Sequence, residues 1–195
     1  MGLKLVIFDL DGTLLESPLD FNAIRCEIGL PDGQPILEAL EGLPPPERAR
    51  AEAIIDRHET AAVRASRLIP GATDLLAWLR ARGLKVALLT RNSRASVEAA
   101  ARRHGLAFDA AVTREDHEPK PSPHGVRHLM EACGARAAET VVVGDFRFDV
   151  EAGAAAGVRT IAVVAEPTDW AAEATWQATD LAAVRGILAG VVDGG

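Results

Sequence analysis

Asp9 and Asp11 are the residues whose types and spacing point most directly to chemistry. They stand two apart in Asp9-Leu10-Asp11-Gly12-Thr13-Leu14, straight after an apolar run over 3–8. In an extended segment, residues i and i+2 project to the same side. Gly12 lets the chain turn immediately afterwards. Two carboxylates so close repel one another, which favours a bound cation or a shared proton. A polar turn accounts for the same residues without chemistry, since Asp-Gly is a common turn pair.

Three later segments offer complementary groups. Leu89-Thr90-Arg91-Asn92-Ser93 follows a second apolar run. Thr90 or Ser93 could cap the next helix; alternatively, the Thr90 hydroxyl and the free helix N–H groups could hold an anion. Arg91 and Asn92 adjoin Thr90 and are carried as substrate contacts. Lys120 lies between Pro119 and Pro121 on a stiffened loop, which suits either a fixed point charge or an ordinary solvated lysine. Asp145 and Asp149 follow the run 140–143. Asp149 could simply cap a helix, or the pair could hold a divalent ion beside Asp9, and oxygen-only ligands suit Mg²⁺.

The elements that position these groups follow from periodicity. The runs 3–8, 86–89, 140–143 and 160–164 read as strands buried on both faces, with 110–112 a weaker candidate. Helical stretches at 72–82, 93–104, 123–132 and 149–156 alternate with them, and Gly83, Gly105, Gly134 and Gly157 close them. Such alternation implies an α/β fold with a parallel sheet covered on both sides. In such sheets ligands bind beyond the carboxyl ends of the strands. Residues 17–69 contain no strand-like run and break the alternation with helix candidates at 20–28, 35–40 and 46–68. They read as a small helical insertion after the first strand. The tail is read as an edge strand near 175–179 and a closing helix at 180–188.

Taken in order, the carboxylate pair, Thr90, Lys120 and the second carboxylate pair resemble the haloacid dehalogenase superfamily of hydrolases, most closely its phosphoglycolate phosphatase-like branch. The likeness covers the core from residue 3 to about Val164 and reaches the insert by position only. It implies a Rossmann-like parallel sheet, with a catalytic core at 1–16 and 70–195 and an α-helical cap at 17–69. The strands ending near Phe8, Leu89 and Val143 would lie side by side. It also implies that Asp9 is the nucleophile and Asp11 the general acid/base, with Thr90 and Lys120 binding the phosphoryl group. Asp9, the Asp11 backbone carbonyl and Asp145 would ligate Mg²⁺, supported by Asp149. The expected reaction is Mg²⁺-dependent hydrolysis of a small phosphate monoester through an aspartyl-phosphate.

Rival readings divide on particular residues. A dehalogenase of this superfamily lacks the second acid, so Asp11 argues against it. A phosphonate hydrolase would need a cap lysine, and 17–69 has none. A sugar phosphomutase would share the core motifs. A receiver-like signalling module also combines acids, Thr and Lys, but carries no inserted cap. The insert holds nine acids against six arginines, so a second anionic group on the substrate would need a specific arginine. Arg25, on the first cap helix, is the first choice; the alternative is a surface arginine paired with Glu27 or Asp20.

Composition sets the remaining bounds. The chain has 195 residues, 48% apolar and 25% charged, with net charge −7. That argues against a nucleic-acid footprint, which would need a basic stripe, and no apolar run approaches the ~18 residues of a membrane span. Cys26 and Cys133 form no metal motif and fit a reducing cytoplasm, as inert or buried thiols. His124 and His128 have a metal-ligand spacing but lack a third ligand, so they read as an exposed helix face. Trp78 reads as core; Arg94, Arg102 and Arg103 read as a solvated face.

Overall fold

Strand β1 (Leu5–Phe8) is buried at every position, and its alternating side chains feed two different cores. Val6 and Phe8 enter one apolar cluster, while Leu5 and Ile7 enter the other. A strand apolar on both faces can only be central, and it lies between two parallel neighbours. The computed structural model describes residues 2–193. In chain order, β2 (Leu15–Glu16), α1 (Phe21–Ile28), α2 (Ile36–Glu41), α3 (Pro45–Ala65) and β3 (Arg67–Leu68) follow β1. Then come α4 (Ala72–Ala81), β4 (Lys85–Leu89), α5 (Arg94–His104), β5 (Ala110–Val112) and α6 (His124–Ala132). The chain continues through β6 (Thr140–Gly144), α7 (Arg147–Ala155), β7 (Arg159–Val163), β8 (Trp176–Ala178) and α8 (Leu181–Asp193).

The main sheet has the order β5-β4-β1-β6-β7-β8, parallel throughout. Helices α4, α5 and α8 pack against one face with Trp78 in that core; α6 and α7 cover the other. This is the α/β Rossmann-like arrangement expected from the alternation. The strands ending at Phe8, Leu89 and Gly144 are neighbours, so the loops leaving them meet at one sheet edge. The four glycines expected to close helices all adopt positive φ.

Between β2 and β3, α1, α2 and α3 gather around Ile24, Ile36, Leu40, Ala51 and Ile55, a cluster separate from the sheet cores. Asp20 starts α1 by accepting from the Asn22 and Ala23 N–H groups at 2.9 Å. The expectation of no strand in 17–69 is corrected: Arg67 and Leu68 pair antiparallel with Glu16 and Leu15. This two-residue ladder is too short to show a periodic pattern. It brings the ends of the insert together beside the Asp9–Asp11 loop. The last helix runs to Asp193, five residues beyond the expected end.

Candidate active site

The loop after β1 is fixed from both ends. Asp9 N–H donates to the Val143 carbonyl at 3.0 Å, so Asp9 still rides on the sheet next to β6. Leu14 and Leu15 N–H groups both donate to the Leu10 carbonyl at 2.9 Å, curling residues 10–15 tightly. Gly12 stands at φ 81°, and a Cβ there would lie 2.0 Å from an Asp145 carboxylate oxygen. Only glycine meets both conditions. Thr13, fully buried, donates its hydroxyl to Asp145 Oδ1 at 2.9 Å.

Lys120 reaches the same point from the loop before α6. Its ammonium is buried and donates to Asp9 Oδ1 at 2.5 Å and to Asp149 Oδ1 at 2.6 Å. Burial alone would lower its proton affinity, but Asp149 and Asp9 more than offset that and hold it protonated above its ordinary range. The solvated-lysine alternative is therefore gone. Asp149 does not begin α7; it sits at the third helical position and accepts from Phe146 N–H at 3.2 Å. The helix starts two residues earlier than expected because this acid caps it from inside the first turn.

Asp9, Asp145 and Asp149 each place an oxygen within 4.8 Å of the others. Three carboxylates share one ammonium, so negative charge is in excess. Burial, then the neighbouring Asp9 charge, raises Asp145 to about 7 against the opposing Thr13 hydrogen bond. Burial also raises Asp149, partly opposed by Lys120. An all-oxygen set with surplus negative charge fits a hard divalent cation such as Mg²⁺. Among the described residues this is the one group of three or more acids, histidines or cysteines close enough to hold a metal ion. His124 and His128 stay exposed on α6: His128 packs on the His117 ring at 4.6 Å, and His124 lies 3.4 Å from Glu118.

The Asp11 carboxylate lies outside that trio and is hydrogen-bonded by Asn92 Nδ2. Burial raises it to about 6, with Asn92 opposing and the Asp9 charge adding. Thr90, buried, accepts the Asn92 N–H at 3.2 Å, and Ser93 rather than Thr90 caps α5. Arg91 donates to the Lys120 carbonyl and, bidentately, to Glu38 of α2 at 2.8 and 2.9 Å.

A cavity of about 780 Å³ opens over these groups, between the sheet edge and α1–α3, and all eight core candidates line it. Those eight are Asp9, Asp11, Thr90, Arg91, Asn92, Lys120, Asp145 and Asp149. Arg25 lines it too, bonded to the Gln34 carbonyl and Asn22 Oδ1, both at 2.8 Å. Its expected surface partners are otherwise engaged: Glu27 pairs with Arg57 and His58, and Asp20 caps α1. Cys26, one residue on, is exposed rather than buried, and both cysteines are free thiols.

Sequence reasoning passed over Glu59. This buried acid of α3 accepts from Ser93 N–H and Oγ at 3.2 and 2.7 Å and pairs with Arg114. One of four acids in a polar helix carries no local signal. Thr13 had one, its place beside Gly12. Phe146 and Phe148 lay in plain view between Asp145 and Asp149.

Residues 22–157 match the haloacid dehalogenase-like hydrolases. An uncharacterized hydrolase of Saccharomyces cerevisiae is 35% identical over 166 residues, covering 82% of this chain and 76% of the relative. A phosphoglycolate phosphatase of Pseudomonas syringae pv. syringae is 31% identical over 196 residues, covering 82% and 69%. The crystal structure of a hydrolase from Pseudomonas syringae superposes with a TM-score of 0.81 at 20% identity, over 97% of this chain and 99% of that one, a likeness of fold. Among the described residues no helix is long and apolar enough to cross a membrane. By the extent of the family match and the identity of its relatives, the chain belongs to the haloacid dehalogenase-like hydrolases.

Proposed function

We infer that this hydrolase cleaves a small phosphate monoester in a Mg²⁺-dependent reaction, through a phosphoryl group carried on Asp9. The observation that supports this reading most strongly is the Lys120 ammonium bonded to both Asp9 and Asp149, with the desolvated Asp11 beside them. The relative named a phosphoglycolate phosphatase agrees with the reaction class.

Asp9 attacks as the carboxylate, with the Lys120 ammonium hydrogen-bonded to its Oδ1. Its oxygen bonds to phosphorus as the bond to the leaving alcohol breaks. Asp11, raised to about 6, is partly protonated near neutrality and gives its proton to the departing alkoxide. As a carboxylate it then takes a proton from water, whose oxygen attacks phosphorus and frees Asp9 with inorganic phosphate. Thr90 holds a phosphoryl oxygen, aided by the Lys120 charge; the first N–H groups of α5 take no part, because Ser93 N–H donates to Glu59 and Arg94 N–H to Glu115. Asp9, the Asp11 backbone carbonyl and Asp145 would ligate Mg²⁺, with Asp149 in support, and the ion's charge would offset repulsion between the anionic ester and the nucleophile. Residues 17–69 act as a cap over the 1–16 and 70–195 core, excluding water during attack. Arg25, Arg91 and Asn92 meet the substrate from the cavity wall.

Steady release of phosphate from p-nitrophenyl phosphate with Mg²⁺, stopped by EDTA, is the expected outcome. A single stoichiometric phosphorylation without turnover would instead favour a receiver-like module.

A further inference from the structure

Among the described residues, two large apolar side chains stand exposed: Phe21 at 52% and Phe146 at 49%. Both line the same cavity. Phe21 opens α1 of the insert, and Phe146 directly follows Asp145 on the core. Scattered exposed phenylalanines would need no explanation; two that line the cavity holding Asp9 and Lys120 do.

Phe146 is a held surface. The Phe148 ring meets it edge-on at 5.0 Å and 82°, and Trp170 lies 6.2 Å away. Phe148 is in turn covered by the guanidiniums of Arg91 at 4.9 Å and Arg147 at 5.0 Å. The cavity, about 780 Å³, is of a size that encloses drug-sized ligands. A two-carbon acid phosphate would fill a small part of it and leave both rings in water.

We propose that the natural substrate is a phosphate monoester of an alcohol bearing an aromatic or heteroaromatic ring, which lies between Phe21 and Phe146 while its phosphate sits at Asp9 and Lys120. This rests on the phosphatase reading above and names its substrate class. A planar ring suits the site because aromatic rings pack edge-on or offset against one another.

The test compares two non-hydrolysable probes, 2-phenylethylphosphonate and ethylphosphonate, by calorimetry with Mg²⁺ present. The full-length wild type should bind the phenyl probe roughly ten- to hundred-fold more tightly, the range for burying one such group. In Phe21→Ala and in Phe146→Ala that ratio should each fall several-fold. Phe21 is exposed, so its loss leaves the fold intact even if the Phe146 variant proves unstable. Equal affinity for the two probes in the wild type, or an unchanged ratio in Phe21→Ala, would overturn the proposal, the rings then covering one another rather than a ligand. Turnover of the matching phosphate esters is read separately. A strong phenyl preference in binding without hydrolysis of either ester would sink the phosphatase reading and leave the aromatic site standing.

Discussion

Replacing Gly12 by Ala should disable the site far more than it unfolds the chain. The added Cβ would lie 2.0 Å from Asp145 Oδ2, 2.5 Å from its Cγ and 2.8 Å from its Oδ1, on a backbone at φ 81°. Left-handed backbone costs an L-residue about 1–2 kcal/mol. The Asp145 carboxylate must also swing away, giving up the 2.9 Å bond from Thr13, worth about 1 kcal/mol. The sum, about 2–3 kcal/mol, corresponds to a Tm lowered by roughly 4–12 °C for a chain of this size. Activity should suffer more, since moving a site group by about 1 Å can cost about a hundred-fold. The assay is kcat on p-nitrophenyl phosphate at saturating Mg²⁺, alongside a thermal melt. Thr13→Val, which removes the bond without the clash, should lie between Gly12→Ala and wild type. Wild-type kcat in Gly12→Ala would refute the claim that Asp145 must stand where it does.

Other perturbations separate the parts of the site. Glu59→Ala leaves the Ser93 N–H without its acceptor and Arg114 with Asp56 alone, and urea unfolding should show a loss of about 1–3 kcal/mol, the range for a buried polar group left unsatisfied; Asp56→Ala, on the exposed arm of the same arginine, should cost no more than about 1 kcal/mol. Asp11→Asn should slow an alkyl phosphate much more than p-nitrophenyl phosphate, because proton donation matters most for a basic leaving group; equal losses on both would count against Asp11 as the acid. Asp145→Asn should raise the Mg²⁺ concentration for half-maximal rate. Asp145 also sets a pH dependence: raised from 3.8 to about 7, it binds more protons folded than unfolded in that window, so EDTA-treated protein should lose stability as pH rises from about 4 to 7. Asp145→Asn should reduce that loss in melts across the range, and a wild-type slope would show that Asp145 is not its source.

The fold was legible where burial dictates pattern. Continuous apolar runs such as 140–143 can only be interior strands, and the carboxylates after them can only meet at the sheet edge. Helix boundaries were less legible because capping is a tertiary choice. Asp149 closes the first turn of α7 from inside it. The β2–β3 ladder was too short to leave a pattern. Glu59 and Arg114 meet across 55 residues, and nothing local marks either. Arg25 is held by Asn22 and the Gln34 carbonyl rather than by an acid, and the Gln34 contact depends on how the loop after α1 folds back.

The central claim is that Asp9 carries the phosphoryl group, and trapping that group tests it most directly. Wild-type protein mixed with substrate and Mg²⁺, acid-quenched within milliseconds and digested, should yield by tandem mass spectrometry a phosphorylated peptide with the modification on Asp9. The same peptide from Asp9→Asn should carry none, and that variant should not turn over although its melt is near wild type. A phosphoryl group found on another residue, or wild-type turnover in Asp9→Asn, would contradict the mechanism.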